Sequence, residues 1–136
     1  MTKPIALITG ASRGIGAATA RLLASSAYDI CINYHENQSA AEKVMKQVED
    51  LGSRACIIQA DISNEEDVIR MFSELSSTLG PVTHLVNNAG ILFPQSRLED
   101  FSVERLQKIF STNVIGTMLC CREAVKIMID QNYGRI

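Results

Sequence analysis

What this sequence lacks narrows it first. No apolar run approaches the ~20 residues that a membrane-spanning helix requires. There is no basic tract: 13 Lys and Arg stand against 15 Asp and Glu, for a net charge of −2. That balance provides no electrostatic footprint for nucleic acid or an anionic membrane. Aromatic residues make up 5%, and no aromatic platform stands out. The start, Met1-Thr2-Lys3-Pro4, leads straight into a short apolar run without a signal-peptide pattern. The four cysteines, Cys31, Cys56, Cys120 and Cys121, form no C-x-x-C pair. They lack metal-ligand spacing and read as reduced, small hydrophobic residues, which fits a cytoplasmic protein.

What remains is an ordinary globular composition. The chain has 136 residues, 46% hydrophobic and 21% charged, enough for one domain with a core. Along it, strand-like and helix-like stretches alternate. Strands are expected at 4–9, 28–34, 54–60 and 82–86. Helices are expected from Gly14 to about Ala27, from Ser39 to Leu51 (apolar at Ala41, Val44, Met45, Val48 and Leu51), and after Ser63 (Val68, Ile69, Phe72, Leu75, Leu79). Gly52 and Gly80-Pro81 stop two of them. Ser63-Asn64-Glu65-Glu66 matches a capping box closed by the Ser63 hydroxyl and the Glu66 carboxylate. Residues 91–100 read as a loop. Ser102 then caps a long helix reaching about Asp130, Asn132-Tyr133-Gly134 turns the chain, and Arg135-Ile136 begins a fifth strand. This alternation predicts right-handed βαβ units and a parallel sheet in the order 3-2-1-4, with helices on both faces. Ligands of such sheets bind at the carboxyl ends of the strands beside the switch point, here between the first and fourth strands.

Two motifs fall at that point. The first is Thr9-Gly10-Ala11-Ser12-Arg13-Gly14-Ile15-Gly16, between the first strand and the first helix. It is not a triphosphatase loop, because no Lys-Ser or Lys-Thr follows, and it is not G-x-G-x-x-G. A glycine turn opening a helix aims backbone N–H groups and the positive helix end at one point, which suits a dinucleotide pyrophosphate. The alternative is a turn needed only for tight packing. The second motif is Asn87-Asn88-Ala89-Gly90, roughly 70 residues later, in which the asparagines also serve as turn formers. Asp61, after the third strand, suits the turn into the next helix. Asn113 falls inside the apolar face of the long helix (Leu106, Ile109, Phe110, Val114, Thr117, Cys121, Ala124, Val125, Met128). A buried amide there demands hydrogen bonds, and a satisfied core asparagine is one reading of it.

With Thr9 included, the string T-G-x-x-x-G-x-G, then Asp61, Asn87–Gly90 and Asn113 in order, resembles the short-chain dehydrogenase/reductase family of the compact, classical subtype, its 3-oxoacyl-thioester reductases and its sugar dehydrogenases alike. The resemblance covers the whole chain. It implies a Rossmann-type α/β domain, truncated after the helix that carries Asn113 (the fifth of the fold), with 1–136 the N-terminal part of a single NAD(P)-binding domain. It implies that Gly10, Ser12, Arg13, Gly14, Ile15 and Gly16 hold the pyrophosphate side. Asp61 and Ile62 lie along the adenine, and Asn88, Ala89 and Gly90 approach a ribose. Asn113 becomes a catalytic residue that holds a water through its helix backbone, with Gly116 giving it space. NAD-specific members usually carry an acid at the end of the second strand. Here Asn33, Tyr34 and His35 stand there, and Arg13 offers a guanidinium to a 2′-phosphate. NADP is therefore expected over NAD, a preference that Glu36 would weaken by reaching in. Arg13 as a plain surface charge is the other reading. His84 is expected to be a satisfied core or edge histidine.

The family's chemistry uses Ser and Y-x-x-x-K. Tyr28 is followed at +4 by Ile32 and Tyr34 by Gln38, while Tyr133 lies three residues before Ile136. The expectation is the N-terminal half of a protein of roughly 250 residues, inactive by itself, with an exposed fourth-strand edge that makes the piece poorly stable. The whole would be an NADP-dependent oxidoreductase acting on a small carbonyl or alcohol and forming a dimer or tetramer. The alternatives are a non-catalytic nucleotide-binding module or pseudoenzyme and, more remotely, a flavodoxin-like regulatory domain.

Overall fold

The computed structural model describes residues 2–136. Four parallel strands, β1 (Ile5–Ile8), β2 (Asp29–Tyr34), β3 (Ala55–Gln59) and β4 (His84–Val86), form one sheet in the order β3-β2-β1-β4, as the alternation predicts. Every residue of β1 and β2 is buried, because both faces of the sheet are covered. Side chains alternate between those faces. Ile5, Leu7, Cys31 and Ile58 join one core. Ala6, Ile8, Ile30, Ile32 and Tyr34 join the other.

The second core is closed by α1 (Gly14–Ser25) and α2 (Gln38–Asp50). Small residues of α1, Ala17, Ala20 and Ala24, let its axis lie close on the sheet. The first core is closed by α3 (Glu65–Thr78), through Val68, Met71, Phe72 and Leu75, and by α5 (Thr117–Asp130), through Cys120, Ala124 and Met128. The four cysteines are free, and three are buried. Burial pushes the Cys120 thiol up to about 12, which leaves it inert. Among the described residues no helix is long and apolar enough to cross a membrane, and no cluster of His, Cys, Asp or Glu is arranged to hold a metal.

Three local expectations change. The cap of α3 is Asn64, whose side chain accepts from the Asp67 N–H, one residue later than Ser63. The Ser63 hydroxyl instead donates to Asp61 Oδ1, because the carboxylate two residues back is a nearer acceptor than the helix. The expected long helix is broken in character: α4 (Val103–Phe110) passes through a π-helical segment, Ser111–Gly116, before α5. Its expected apolar face is divided: Leu106, Phe110, Val114 and Val125 are exposed, whereas Ala124 and Met128 are buried. The buried side of α5 runs through Cys120, Glu123, Ala124 and Met128. Gly116 makes room for Ile62 rather than for Asn113, since a Cβ there would stand 2.9 Å from Ile62 Cγ1.

Beside β4, Arg135 forms a single parallel bridge with His84. Its carbonyl accepts from Leu85 N–H, and its N–H donates to Thr83 O. His84 is satisfied as expected. Nδ1 lies 2.9 Å from Thr83 Oγ1, and its ring sits edge-on between Tyr28 and Tyr133.

Candidate nucleotide cleft

The glycine turn is held from three strands. Gly10 has φ +61°, a backbone that glycine adopts without strain. Its N–H donates to Asn33 Oδ1 at 3.1 Å, while Ala11 N–H donates to Asn33 O at 2.8 Å. Asn33 Nδ2 in turn donates to Ile58 O (3.3 Å) and Ala60 O (3.2 Å) of the β3 end. From the other side, Thr9 Oγ1 accepts from both Asn88 N and Ala89 N at 3.0 Å. Asn88 Nδ2 donates to Thr9 O and Gly10 O, also at 3.0 Å. The turn after β1 and the run after β4 are thus one hydrogen-bonded body.

Two close approaches make that body possible. A Cβ on Gly10 would stand 2.9 Å from Ala89 Cα, and one on Gly16 would stand 2.6 Å from Asn88 Nδ2 and 2.7 Å from Gly10 O. A Cβ on Gly14 would meet nothing within 4 Å, although its φ is +57°. Gly14 therefore supplies conformation, and Gly16 supplies proximity.

A cleft of about 1390 Å³ opens at these strand ends. Gly10, Ser12, Arg13, Gly14 and Ile15 line one side. Asn33, His35, Asp61 and Ile62 line another, and Asn88, Ala89 and Gly90 line a third. Twelve of the fifteen expected site residues are brought to it. Gly16, Tyr34 and Asn113 are not part of its surface. Tyr34 is buried in the core with Ile30 and Ile32. The alternation along β2 carries that signal, because Tyr34 shares their parity. Asn33 reaches the cleft but is 2% exposed, with its amide spent on the turn.

The N-terminus of α1 faces this space with Arg13 in the N-cap position and no side-chain cap. First-turn N–H groups have no intrahelical acceptor, so the site retains donors for an anion, and Arg13 is exposed at its edge. These residues fit a dinucleotide pyrophosphate. Asp61 divides its oxygens. Oδ1 accepts from Ser63 N (2.9 Å) and Ser63 Oγ (2.7 Å), while Oδ2 lies 3.7 Å from His35 Nε2. The Asp61 N–H donates to Asp67 Oδ2 at 2.8 Å, a bond that holds the Asp67 carboxyl below its ordinary range. Asp67, absent from the sequence-based candidates, thereby fixes Asp61.

Asn113 is satisfied by backbone. Its Oδ1 accepts from Ile91 N (2.7 Å), and its Nδ2 donates to Ile91 O (2.9 Å). It acts on the cleft through Ile91, which lines it beside Gly90. Its own carbonyl accepts from Thr117 Oγ1 at 3.1 Å.

Known proteins match the chain over nearly its whole length. Residues 4–136 match the short chain dehydrogenase family. The chain belongs to that family. Its members are oxidoreductases that bind NAD(P). An uncharacterized oxidoreductase of Escherichia coli K12, YgfF, is 50% identical over 130 residues, which is 96% of this chain and 53% of that protein. A 3-oxoacyl-[acyl-carrier-protein] reductase of Synechocystis is 35% identical over all of this chain and 55% of its own length. A doubly substituted short-chain dehydrogenase/reductase of Serratia marcescens superposes with a TM-score of 0.88 at 28% identity, over 93% of this chain and 51% of that one. The chain spans about half the length of the relatives it matches. The family's Rossmann-type fold is the one seen here.

Proposed function

We propose that this chain is the nucleotide-binding part of an NADP-dependent oxidoreductase that moves hydride between a nicotinamide and a carbonyl or alcohol. The observation that carries the reading is the uncapped N-terminus of α1, opening with Arg13 onto the same cleft as Asn88–Gly90. The bound nicotinamide supplies the hydride donor and acceptor. The chain's own residues bind and orient. The first-turn N–H groups of α1 take the pyrophosphate, Arg13 takes the 2′-phosphate, and Asp61 and Ile62 border the adenine. The Ala89 and Gly90 backbone lies at the ribose. Asn113 positions Ile91, and on this reading its backbone carbonyl holds a water in the proton relay. The complete enzyme is a cytoplasmic homo-oligomer on this reading, with the Ser and Tyr-x-x-x-Lys supplied by sequence beyond that given. The reductase activity named for the Synechocystis relative supports a carbonyl substrate.

A second reading has its own observation. Glu36 lines the same rim, 4.0 Å from His35 Nδ1, and a carboxylate there suits the free ribose hydroxyls of NAD. Fluorescence titration decides between them. Arg13→Ala weakens NADPH binding about tenfold or more and leaves NADH within about twofold. Tighter binding of NADH than NADPH by the parent protein assigns the rim to Glu36 and overturns the NADP preference.

A further inference from the structure

Between β4 and α4 the chain crosses residues 91–102 with one short 3-10 turn, Leu98–Asp100, as its only regular structure. Two anchors hold this crossing. Asn113 grips Ile91 through both amide atoms. The second anchor is Arg105, in the first turn of α4. Its Nη2 donates to Pro94 O at 2.8 Å. Its guanidinium carbon lies 4.5 Å from the Phe101 ring centroid and 5.5 Å from that of Phe93. Its Nε is buried without an acceptor. The guanidinium is therefore held by two aromatic faces and one carbonyl, an arrangement that exploits its flat shape and weak hydration. Lysine would keep the charge and lose the stack. Between the two anchors, Leu92 is 95% exposed and lines the cleft with Ile91. Pinned on both sides, the segment holds the apolar Leu92 side chain at the cleft instead of in the core.

We propose that Arg105 is a positioning residue. Through Pro94, Phe93 and Phe101 it fixes the 91–101 crossing, and so sets Leu92 at the cleft as the contact for the apolar part of the carbonyl or alcohol substrate. This inference rests on the oxidoreductase reading above.

The test compares Arg105→Ala, Arg105→Lys and Leu92→Ala in the full-length protein, by amide hydrogen exchange and by steady-state kinetics with NADPH. The carbonyl probes are ethyl acetoacetate and its longer homologue ethyl 3-oxohexanoate. Arg105→Ala is expected to speed exchange at Asp100 and Phe101 about tenfold and to raise the KM of the longer probe about tenfold. The kcat and the NADPH KM should stay within about twofold, and Arg105→Lys should fall between. Leu92→Ala should raise the same KM without altering exchange. Unchanged exchange in Arg105→Ala overturns the clamp. Faster exchange with an unchanged carbonyl KM overturns the Leu92 assignment. An equal fall in kcat and NADPH affinity shows general destabilisation and also overturns the proposal. Failure of the parent protein to bind NADPH sinks the oxidoreductase reading separately, since the exchange readout needs no ligand.

Discussion

Around the glycine turn, Thr9 and Asn33 are almost wholly buried; Thr9 holds backbone N–H groups of the β4 end, and Asn33 holds backbone groups of the β1 and β3 ends. Along α4 and the π-helical segment, Leu106, Phe110, Val114 and Ile115 stand 39–56% exposed, and α4 buries none of its residues. The first region is rigid because its hydrogen bonds join residues 23 to 80 positions apart. They form only when the sheet is complete, and breaking one leaves a buried donor or acceptor unpaired. The second region depends mainly on bonds local to its own helix, plus two grips on the 91–101 crossing. The nucleotide cleft is thus tied together by bonds between distant segments, whereas α4 and the π-helical segment are tied mainly along their own stretch of chain.

Adding a single carbon to the turn breaks that contrast most severely. Gly16→Ala should destabilise the fold by about 2–3 kcal/mol and abolish nucleotide binding, because the new Cβ meets backbone and the Asn88 amide together. Gly14→Ala should cost only about 1 kcal/mol of backbone strain. Thermal melts with and without NADPH measure both, and equal losses at the two positions would remove the distinction between proximity and conformation. Next in size is Thr9→Val. It keeps the volume but strips the acceptor from Asn88 N and Ala89 N, for about 2 kcal/mol or more. A loss under about 0.5 kcal/mol would mean that the clasp is not what unites the two motifs.

The smallest effect lies at the opposite end of the sheet. Burial, and then the Arg135 charge, hold the His84 imidazole below its ordinary value. The unfolded chain therefore takes up the proton first. The contribution of His84 is complete above an ordinary histidine pKa of about 6.5 and is lost as pH falls through and below it. Denaturant melts from pH 7.5 to 5.5 should show this decline, and His84→Gln should flatten it. An unchanged slope in the variant would assign the decline to other groups.

Much of the site was legible beforehand because its causes are local. A glycine that must adopt positive φ, an apolar run of strand length and a helix starting directly after it are features of adjacent residues. Gly10, Gly14 and the order of the sheet follow from them. Tyr34, expected at the cofactor rim, belongs to the core, and its parity with Ile30 and Ile32 was the local signal against that expectation. Ser63 and Asn64 show the limit of a local rule, since both are good caps and the nearby Asp61 carboxylate takes the serine.

What the tertiary structure alone decided are the pairings between distant segments. Asn33 became the pin of the glycine turn only when β3 offered the Ile58 and Ala60 carbonyls. Asp67 acquired its role from the Asp61 N–H. Asn113 turned to Ile91, and Arg105 settled between Phe93 and Phe101. The sequence by itself determined a parallel α/β sheet with a phosphate-ready turn, because side-chain periodicity and backbone freedom are written residue by residue. Which polar groups would satisfy one another was left to the fold, because a buried hydrogen bond is specified by a distance in space that chain separation does not encode.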